Sequence, residues 1–422
     1  MIKLMRINAI RLTVSGLISA IMMIYFGSAN ASEKPTSALR CVQTFLDFKG
    51  YSIGPIDAKL NKSTLAAAHA YLVDKKVALP DLTNETANAW CDSAITDKAY
   101  SSLTGYSYET KLLSRKIVGA AKDLNRILLA DSIGKFVVAD RSIKKSTALE
   151  FVDLNDKISA ARISVNYADA GHRDDWFYNN KPGLQQRYEL TEVRPFSMRP
   201  GKTYWLRLSV FLPEWFDTGD QMTLTDMKPM VNGLLLDPVV SLTFAKRSGR
   251  DMMQIHHIVG RKQDCIIGYN EGGGENTYCD LSKEQDIFLP ASELKGKWLN
   301  FVYRVHWAND DSGSYHLWMN DKLLVGIKGN TLHGAEFITH KFGVYRGYYH
   351  SQGTKQPNAS VYFTAEGRSA TCTGLGIEKC ATFEAEALTF VKPGVTDVNI
   401  VNLNEMSDYL KAGGKIMKGK RK

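Results

Sequence analysis

From about Ala148 to Val391 the chain is a succession of short segments in which apolar and polar residues alternate, broken by turns at close intervals. Representative runs are Ala161–Val165, Gln186–Leu190, Thr203–Val210, Val239–Ala245, Met252–Val259, Trp298–His306, Phe342–Tyr345, Ser360–Thr364 and Ala387–Val391. A period of two puts one side chain in two on each face of a strand, and the runs are too short for helices. Many such strands in sequence, with little helix between them, predict a mainly β, two-sheet sandwich of roughly 240 residues. An extended antiparallel sheet of this kind offers a concave face that suits a linear polymer.

The rest of the chain bounds where such a sandwich works. Residues 1–31 carry Lys3, Arg6 and Arg11, then a mostly apolar stretch from Leu12 to Phe26, then Ala29-Asn30-Ala31. That order is a secretory signal peptide, so the protein is expected to be secreted or periplasmic, with no membrane attachment once the signal is cleaved. Export gives the six cysteines meaning as disulfides. They fall in three local pairs, Cys41 with Cys91, Cys265 with Cys279 and Cys372 with Cys380, each bracketing one unit or loop. The formal net charge is +9, and five of the cations lie in the basic tail Gly413–Lys422. A basic exported protein favours anionic polymers as partners. Nucleic acid is excluded as a partner by the compartment and by the lack of a recognition motif. No metal site or cofactor is expected: the cysteines and histidines lack zinc spacing, and no loop pattern supports a structural calcium. A monomer is expected.

Residues 37–92 read as a small helical unit. Leu39, Val42, Phe45, Leu46 and Phe48 have near-helical spacing, a turn-rich stretch runs from Lys49 to Asp57, and Ser63-Thr64-Leu65 opens an alanine-rich helix. Gly50-Tyr51, Gly54, Asp57, Thr64, Ala67 and Ala68 sit as in the peptidoglycan-binding-like repeat, which this unit resembles. Ala58 and Asn61 stand where that repeat usually has glycine. The resemblance implies a three-helix module and peptidoglycan as a partner; a module that keeps the fold and binds nothing is the other reading. Asp57 or Ser63 is the expected helix cap. Residues 93–147, with helical periodicity from Lys111 to Asp131, read as a helical linker; 148–393 is the β domain and 394–422 a basic tail.

The chemistry-bearing stretch is Lys341-Phe342-Gly343-Val344-Tyr345-Arg346. On a strand Lys341, Gly343 and Tyr345 share one face, while Phe342, Val344 and Arg346 share the other. One face then carries an ammonium, bare backbone and a phenol in a row. A phenol beside cations can take or give a proton.

Three ordered segments resemble the heparin lyase I-like polysaccharide lyases and their alginate and glucuronan lyase relatives. They are Arg187-Tyr188-Glu189-Leu190, then Gly296-Lys297-Trp298 with the strands up to Asp321, then Lys341 to Tyr345 with Arg346. The resemblance covers about Phe151 to Lys392. It implies a concanavalin-like β-jelly-roll sandwich, preceded here by the small α-helical domain, and cleavage of a uronate-containing anionic polysaccharide by β-elimination. It further implies that Tyr345 is the base, the acid or both, and that Arg187 pairs the substrate carboxylate with Glu189 orienting it. Lys341 and Arg346 would hold Tyr345 near ionisation or bind neighbouring uronates.

Relatives often carry Q-x-H on a central strand, and two places compete for it. Gln254-Ile255-His256 has the literal motif; Asp226-Met227-Lys228 lies at the matching distance from Arg187. The literal motif is slightly favoured, with Lys228 as the other carboxylate-neutralising candidate. Arg304 and His306, on one strand face, are further substrate-binding candidates. Two other functions fit the same fold: a glycoside hydrolase, which needs paired carboxylates on a strand face and finds only Glu384-Ala385-Glu386, and a non-catalytic lectin-like envelope protein.

Overall fold

The computed structural model describes residues 33–104, 136–139, 142, 148–154, 159–166, 177–178, 181–182, 186–219, 221–231, 234–235, 238–247, 250–258, 287–347 and 357–388. The expected signal peptide, the Lys111–Asp131 segment, the Cys265–Cys279 loop and the basic tail lie outside them. The chain divides into two compact units, Met1–Tyr100 and Ser101–Lys422.

The first unit contains α1 (Glu33–Phe48), α2 (Lys62–Lys75) and α3 (Ala87–Thr96), with α4 (Lys98–Thr104) beginning at its end. Its core is aromatic: Phe45 meets Tyr71 and Tyr100 edge-on at 5.2 and 5.4 Å, an arrangement that suits ring quadrupoles. Trp90 is fully buried, and its indole N–H donates to the Pro80 carbonyl. Cys41 and Cys91 are bonded, tying α1 to α3. The cap of α2 is Asn61 rather than Asp57 or Ser63; its side chain accepts from the Thr64 N–H at 2.8 Å. Ala58 takes φ 60°, the left-handed conformation that explains the usual preference for glycine there. The turn is held by Gln43, fully buried, whose carbonyl accepts from Ala58 N–H at 2.8 Å and whose amide donates to the Lys59 carbonyl and the Thr64 hydroxyl. Those bonds offset the backbone strain at Ala58.

The second unit is mainly β. Among the described residues an eight-stranded sheet runs β1-β6-β16-β8-β10-β11-β12, with β9 paired to β8, and a seven-stranded sheet runs β15-β14-β13-β7-β17-β3-β2. In chain order the strands are β1 (Phe136–Val138), β2 (Leu149–Asp153), β3 (Ser159–Val165), β4 (Phe177–Tyr178), β5 (Lys181–Pro182), β6 (Gln186–Glu192), β7 (Lys202–Phe211), β8 (Gln221–Val231) and β9 (Leu234–Leu235). They continue as β10 (Val240–Arg247), β11 (Arg250–His257), β12 (Ile287–Pro290), β13 (Trp298–Trp307), β14 (Ser314–Met319), β15 (Lys322–Lys328), β16 (Phe337–Gly347) and β17 (Ala359–Ser369). All pairings in these sheets are antiparallel, and the two inner faces share one core, in which Leu190, Phe244, Ile255, Phe342, Val344, Tyr303 and Phe363 are buried. The alternation in the sequence is therefore the inside–outside alternation of a two-sheet jelly-roll sandwich.

Two segments differ from the sequence expectation. The β unit begins before residue 148, because Phe136–Val138 already pairs with β6. After β17 the chain forms α5 (Cys380–Glu386), with Cys372 bonded to Cys380. Glu384 and Glu386 thus lie on a helix, so the carboxylate pair a glycoside hydrolase needs on a strand face is not formed there. Glu386 accepts from the Trp318 indole N–H at 2.7 Å, and Phe383 packs on the Trp318 ring. Among the described residues no helix is long and apolar enough to cross a membrane.

Candidate active site

Strand β16 lies between β6 and β8, and its register fixes what surrounds Tyr345. On the β6 side Tyr345 pairs with Arg187, Gly343 with Glu189 and Lys341 with Thr191. On the β8 side Tyr345 pairs with Thr223 and Lys341 with Asp226. The opposite parity, Tyr188, Leu190, Phe342 and Val344, is in the core. Arg187, Glu189, Lys341 and Tyr345 therefore share the outer face of the first sheet. The Arg187 guanidinium stands 4.5 Å from the Tyr345 ring centroid, within the distance at which a cation is attracted to a ring face. Its Nη1 is 4.0 Å from Glu189 Oε2, an ion pair without a short hydrogen bond.

Gly343 is the reason this strand can sit where it does. Its φ is +141°, and a Cβ there would lie 2.3 Å from the Tyr188 carbonyl oxygen and 2.9 Å from Glu189 Cα. The register against β8 also shifts between Phe342 and Tyr345. A bulge of this type re-aims the side chain that follows it. Glycine thus lets β6 and β16 approach closely and sets where Tyr345 points.

Both candidates for the Q-x-H role lie on this outer face, but at different distances. Across the sheet, Lys341 pairs with Asp226, Asp226 with Ser241, and Ser241 with His256. The neighbouring row runs Arg187, Tyr345, Thr223, Thr243 and Gln254. Strand β8 is adjacent to β16, whereas β11 is three strands away, about 14 Å at the usual strand spacing. Of the two candidates, Asp226 and Lys228 are the pair on the strand next to that of Tyr345, and Gln254 and His256 lie three strands away. Gln254 is buried and His256 half-buried, while His257 turns into the core, its ring 5.6 Å from that of Tyr315.

Three further candidates fall elsewhere. Arg346 is fully buried on the inner side. Its guanidinium donates to the Gln186 side-chain oxygen Oε1, from Nε at 2.8 Å and also from Nη2, and to the Pro357 backbone carbonyl. It braces β16 and does not reach the Tyr345 face. Arg304 and His306 lie on β13 in the second sheet, where Tyr303, Val305 and Trp307 face the core. Their side chains point to the far side of the sandwich. Arg304 donates to the Ser314 hydroxyl at 3.1 Å, and His306 Nδ1 is 3.0 Å from the Thr203 hydroxyl.

Behind Tyr345's strand is a second ionisable group of residues, inside the core; it includes His340, which by sequence parity points opposite to Lys341 and off the Tyr345 face. His340 on β16 is fully buried, and burial lowers its pKa to about 3. Its Nδ1 is 3.7 Å from Glu366 Oε1, and burial raises the Glu366 pKa to about 8 against the pull of Arg368. The two are neutral together at neutral pH. Arg368 pairs with Glu192 at 2.6 Å. Among the described residues no group of histidine, cysteine, aspartate and glutamate is arranged to hold a metal ion.

A family model described as polysaccharide lyase matches residues 140–365, over half of the chain and the whole span from β6 to β16. The chain belongs to the polysaccharide lyase family. No curated protein matches this lyase. Among solved structures it is similar to the endo-beta-1,4-glucuronan lyase of the fungus Trichoderma reesei, with 12% identity, a TM-score of 0.36, and coverage of 57% of this chain and 89% of that one. It is also similar to alginate lyase A1-II', with 12% identity, a TM-score of 0.36, and coverage of 56% and 95%. For alginate lyase PA1167 of Pseudomonas aeruginosa the identity is 16%, the TM-score 0.31 and the coverage 50% and 82%. Likenesses of this degree say nothing about the substrate of the lyase described here.

Proposed function

We propose that the enzyme cleaves a uronate-containing anionic polysaccharide by β-elimination at the outer face of the first sheet, with Tyr345 moving the proton. The observation that carries this reading is Arg187 held 4.5 Å from the Tyr345 ring, with Lys341 on the same face. The proton at C5 of a uronic acid is only weakly acidic, so the neighbouring carboxylate must be neutralised before it can leave. Arg187 suits that task because its planar fork matches a carboxylate, and Glu189 orients it. Tyr345 takes the C5 proton as phenolate; the electron pair forms C4=C5 and the C4–O bond breaks. The same phenol then returns its proton to the departing glycosidic oxygen. Lys341 and Lys228 bind the carboxylates of this and neighbouring sugars.

The test is a panel of uronate polymers followed by absorbance of the unsaturated uronate product. Tyr345→Phe is expected to lose about 10²–10⁴-fold in turnover, the usual worth of a positioned acid–base group, and to keep polymer binding. A fully active Tyr345→Phe enzyme means the site is misassigned. Polymer binding without product on any substrate favours a lectin-like protein. Export to the periplasm or medium fits the two observed disulfides. Peptidoglycan remains the proposed partner of the helical unit, checked by co-sedimentation of the full chain with purified cell wall; a chain that stays in solution would leave that unit a folded spacer.

A further inference from the structure

Asp226 is a carboxyl group in a place that ought to repel the substrate. It lies across from Lys341 on one side and Ser241 on the other, on the outer face and one strand from Tyr345. It is only 3% exposed. Its Oδ2 is 3.9 Å from Lys228 Nζ, beyond hydrogen-bond range, and its Oδ1 has no hydrogen-bond partner among the described residues. A buried carboxylate is stable only when donors surround it, and none closes on this one. The charged and titratable groups that act on it are Lys228 on its own strand, Lys341 and His340 on β16, and Glu189 on β6; from β10 its cross-strand partner is a serine. Burial raises its pKa, prevailing over the two lysines, and Glu189 adds to the rise.

Resting on the lyase site described above, we propose that Asp226 is protonated and donates a neutral hydrogen bond to the carboxylate of the sugar being cleaved. Gly343 lies at the centre of the arrangement, with Lys341 and Tyr345 on either side along β16 and Glu189 across from it. The bulge shortens the path on β8, so that Asp226 and Thr223 stand opposite Lys341 and Tyr345, about 10 Å apart along the strand. A uronate over the bare backbone at Gly343 lies between the two positions, so that the long Tyr345 side chain reaches its C5 while the carboxylate carried on that same carbon turns toward Asp226. As C5 loses its proton, charge gathers on the carboxylate oxygens, and an O–H donor bonds more strongly to the growing anion than to the ground state. The approaching carboxylate also keeps Asp226 protonated, since two carboxyl groups in contact cannot both ionise. The acid thereby supplies a neutral donor beside the charge that Arg187 brings to the carboxylate, with Lys228 and Lys341 adding positive charge alongside.

The test compares Asp226→Asn with Asp226→Ala on a polymer that the wild type cleaves. Asparagine keeps a neutral donor, so Asp226→Asn is expected to hold at least a tenth of wild-type turnover and to lose the alkaline decline set by ionisation of the acid. Asp226→Ala removes the donor and is expected to lose about 10²–10³-fold in kcat, the cost of deleting one preorganised donor. Equal losses in both variants, with folding intact by circular dichroism, would overturn the proposal, because an ionised Asp226 would then be what the reaction needs. Infrared difference spectra of wild type against Asp226→Asn at pH 6 read the carboxyl group without substrate. A protonated carbonyl band supports the proposal and a carboxylate band alone overturns it, including where Asp226→Ala fails to fold. Lack of product from the wild type on every uronate polymer would instead sink the lyase site reading, with the infrared result still deciding the state of Asp226.

Discussion

Replacing Gly343 with alanine tests whether one backbone position sets the geometry of the site. The φ of +141° is one that L residues rarely adopt, and holding a side chain there costs about 1–3 kcal/mol. The added Cβ would lie 2.3 Å from the Tyr188 carbonyl oxygen. That neighbour is backbone, so it cannot rotate away, and overpacking of this kind costs about 1–3 kcal/mol more. The sum, about 2–6 kcal/mol, is a large part of the 5–15 kcal/mol that holds a typical domain together. Relieving the contact to about 3.4 Å means parting β6 from β16 by about 1 Å, and that seam carries the Arg187–Tyr345 pair. A displacement of that size is worth about 10²-fold in rate. Gly343→Ala is therefore expected to lower the urea midpoint and to cut kcat on a uronate polymer by about 100-fold. A variant with the wild-type midpoint and wild-type kcat would show that the close approach at Gly343 neither strains the sheet nor positions Tyr345.

Two further outcomes follow. The neutral His340–Glu366 pair ties stability to pH. Glu366, raised from 4.5 to about 8, contributes stability below pH 4.5 that is lost as pH rises toward 8; His340, lowered from 6.5 to about 3, contributes stability above pH 6.5 that is lost as pH falls toward 3. Between pH 4.5 and 6.5 the two slopes cancel, so the pair gives a plateau with a decline on either side. Burial also raises the neighbouring Glu192 to about 8, so Glu366→Gln, which cannot ionise, is expected to lessen rather than abolish the alkaline decline, each acid being worth at most about 1.4 kcal/mol per pH unit, in urea titrations at pH 6.5 to 8; an unchanged decline refutes the assignment. Arg304→Ala, on the far side of the second sheet, is expected to leave turnover unchanged and to cost about 1 kcal/mol of stability through its lost contacts with Ser314 and the Trp205 ring. A large fall in turnover would put Arg304 back in the site.

The sequence and the fold agree wherever one strand's own pattern decides. The parity of Lys341 to Arg346 shows Tyr345 and Lys341 on one face, and the local cysteine spacing matches both described disulfides. Strand order is a different kind of information, because it depends on pairings between distant segments. That is why Gln254-Ile255-His256 reads as the better motif although its strand lies three places from β16, while Asp226, on the adjacent strand, reads as a defect. Arg346 misleads for a related reason: a cation in the motif suggests substrate, yet its parity sends it inward to Gln186. The Cys372–Cys380 bond and the Trp318 seat favour a helix over Cys380–Glu386, which no periodicity marks; most of the strand expected over Ala387–Val391 lies outside the described residues. Gln43 left no pattern to find, since a single buried amide has no period.

The position of β16 has a consequence for biogenesis. It fills the gap between β6 and β8, yet the chain makes it more than 100 residues after β8. Until residue 347 has been synthesised and delivered, β6 and β8 have no common neighbour and two unpaired edges face outward, the kind of edge that seeds association between chains. Loops of that length close slowly. A chain lacking β16 thus keeps those two edges, whereas arrival of β16 completes the sheet and brings in Tyr345, the proposed proton carrier, in one step. On the proposed site, closing the sheet and completing the group that would act on polymer are therefore the same event.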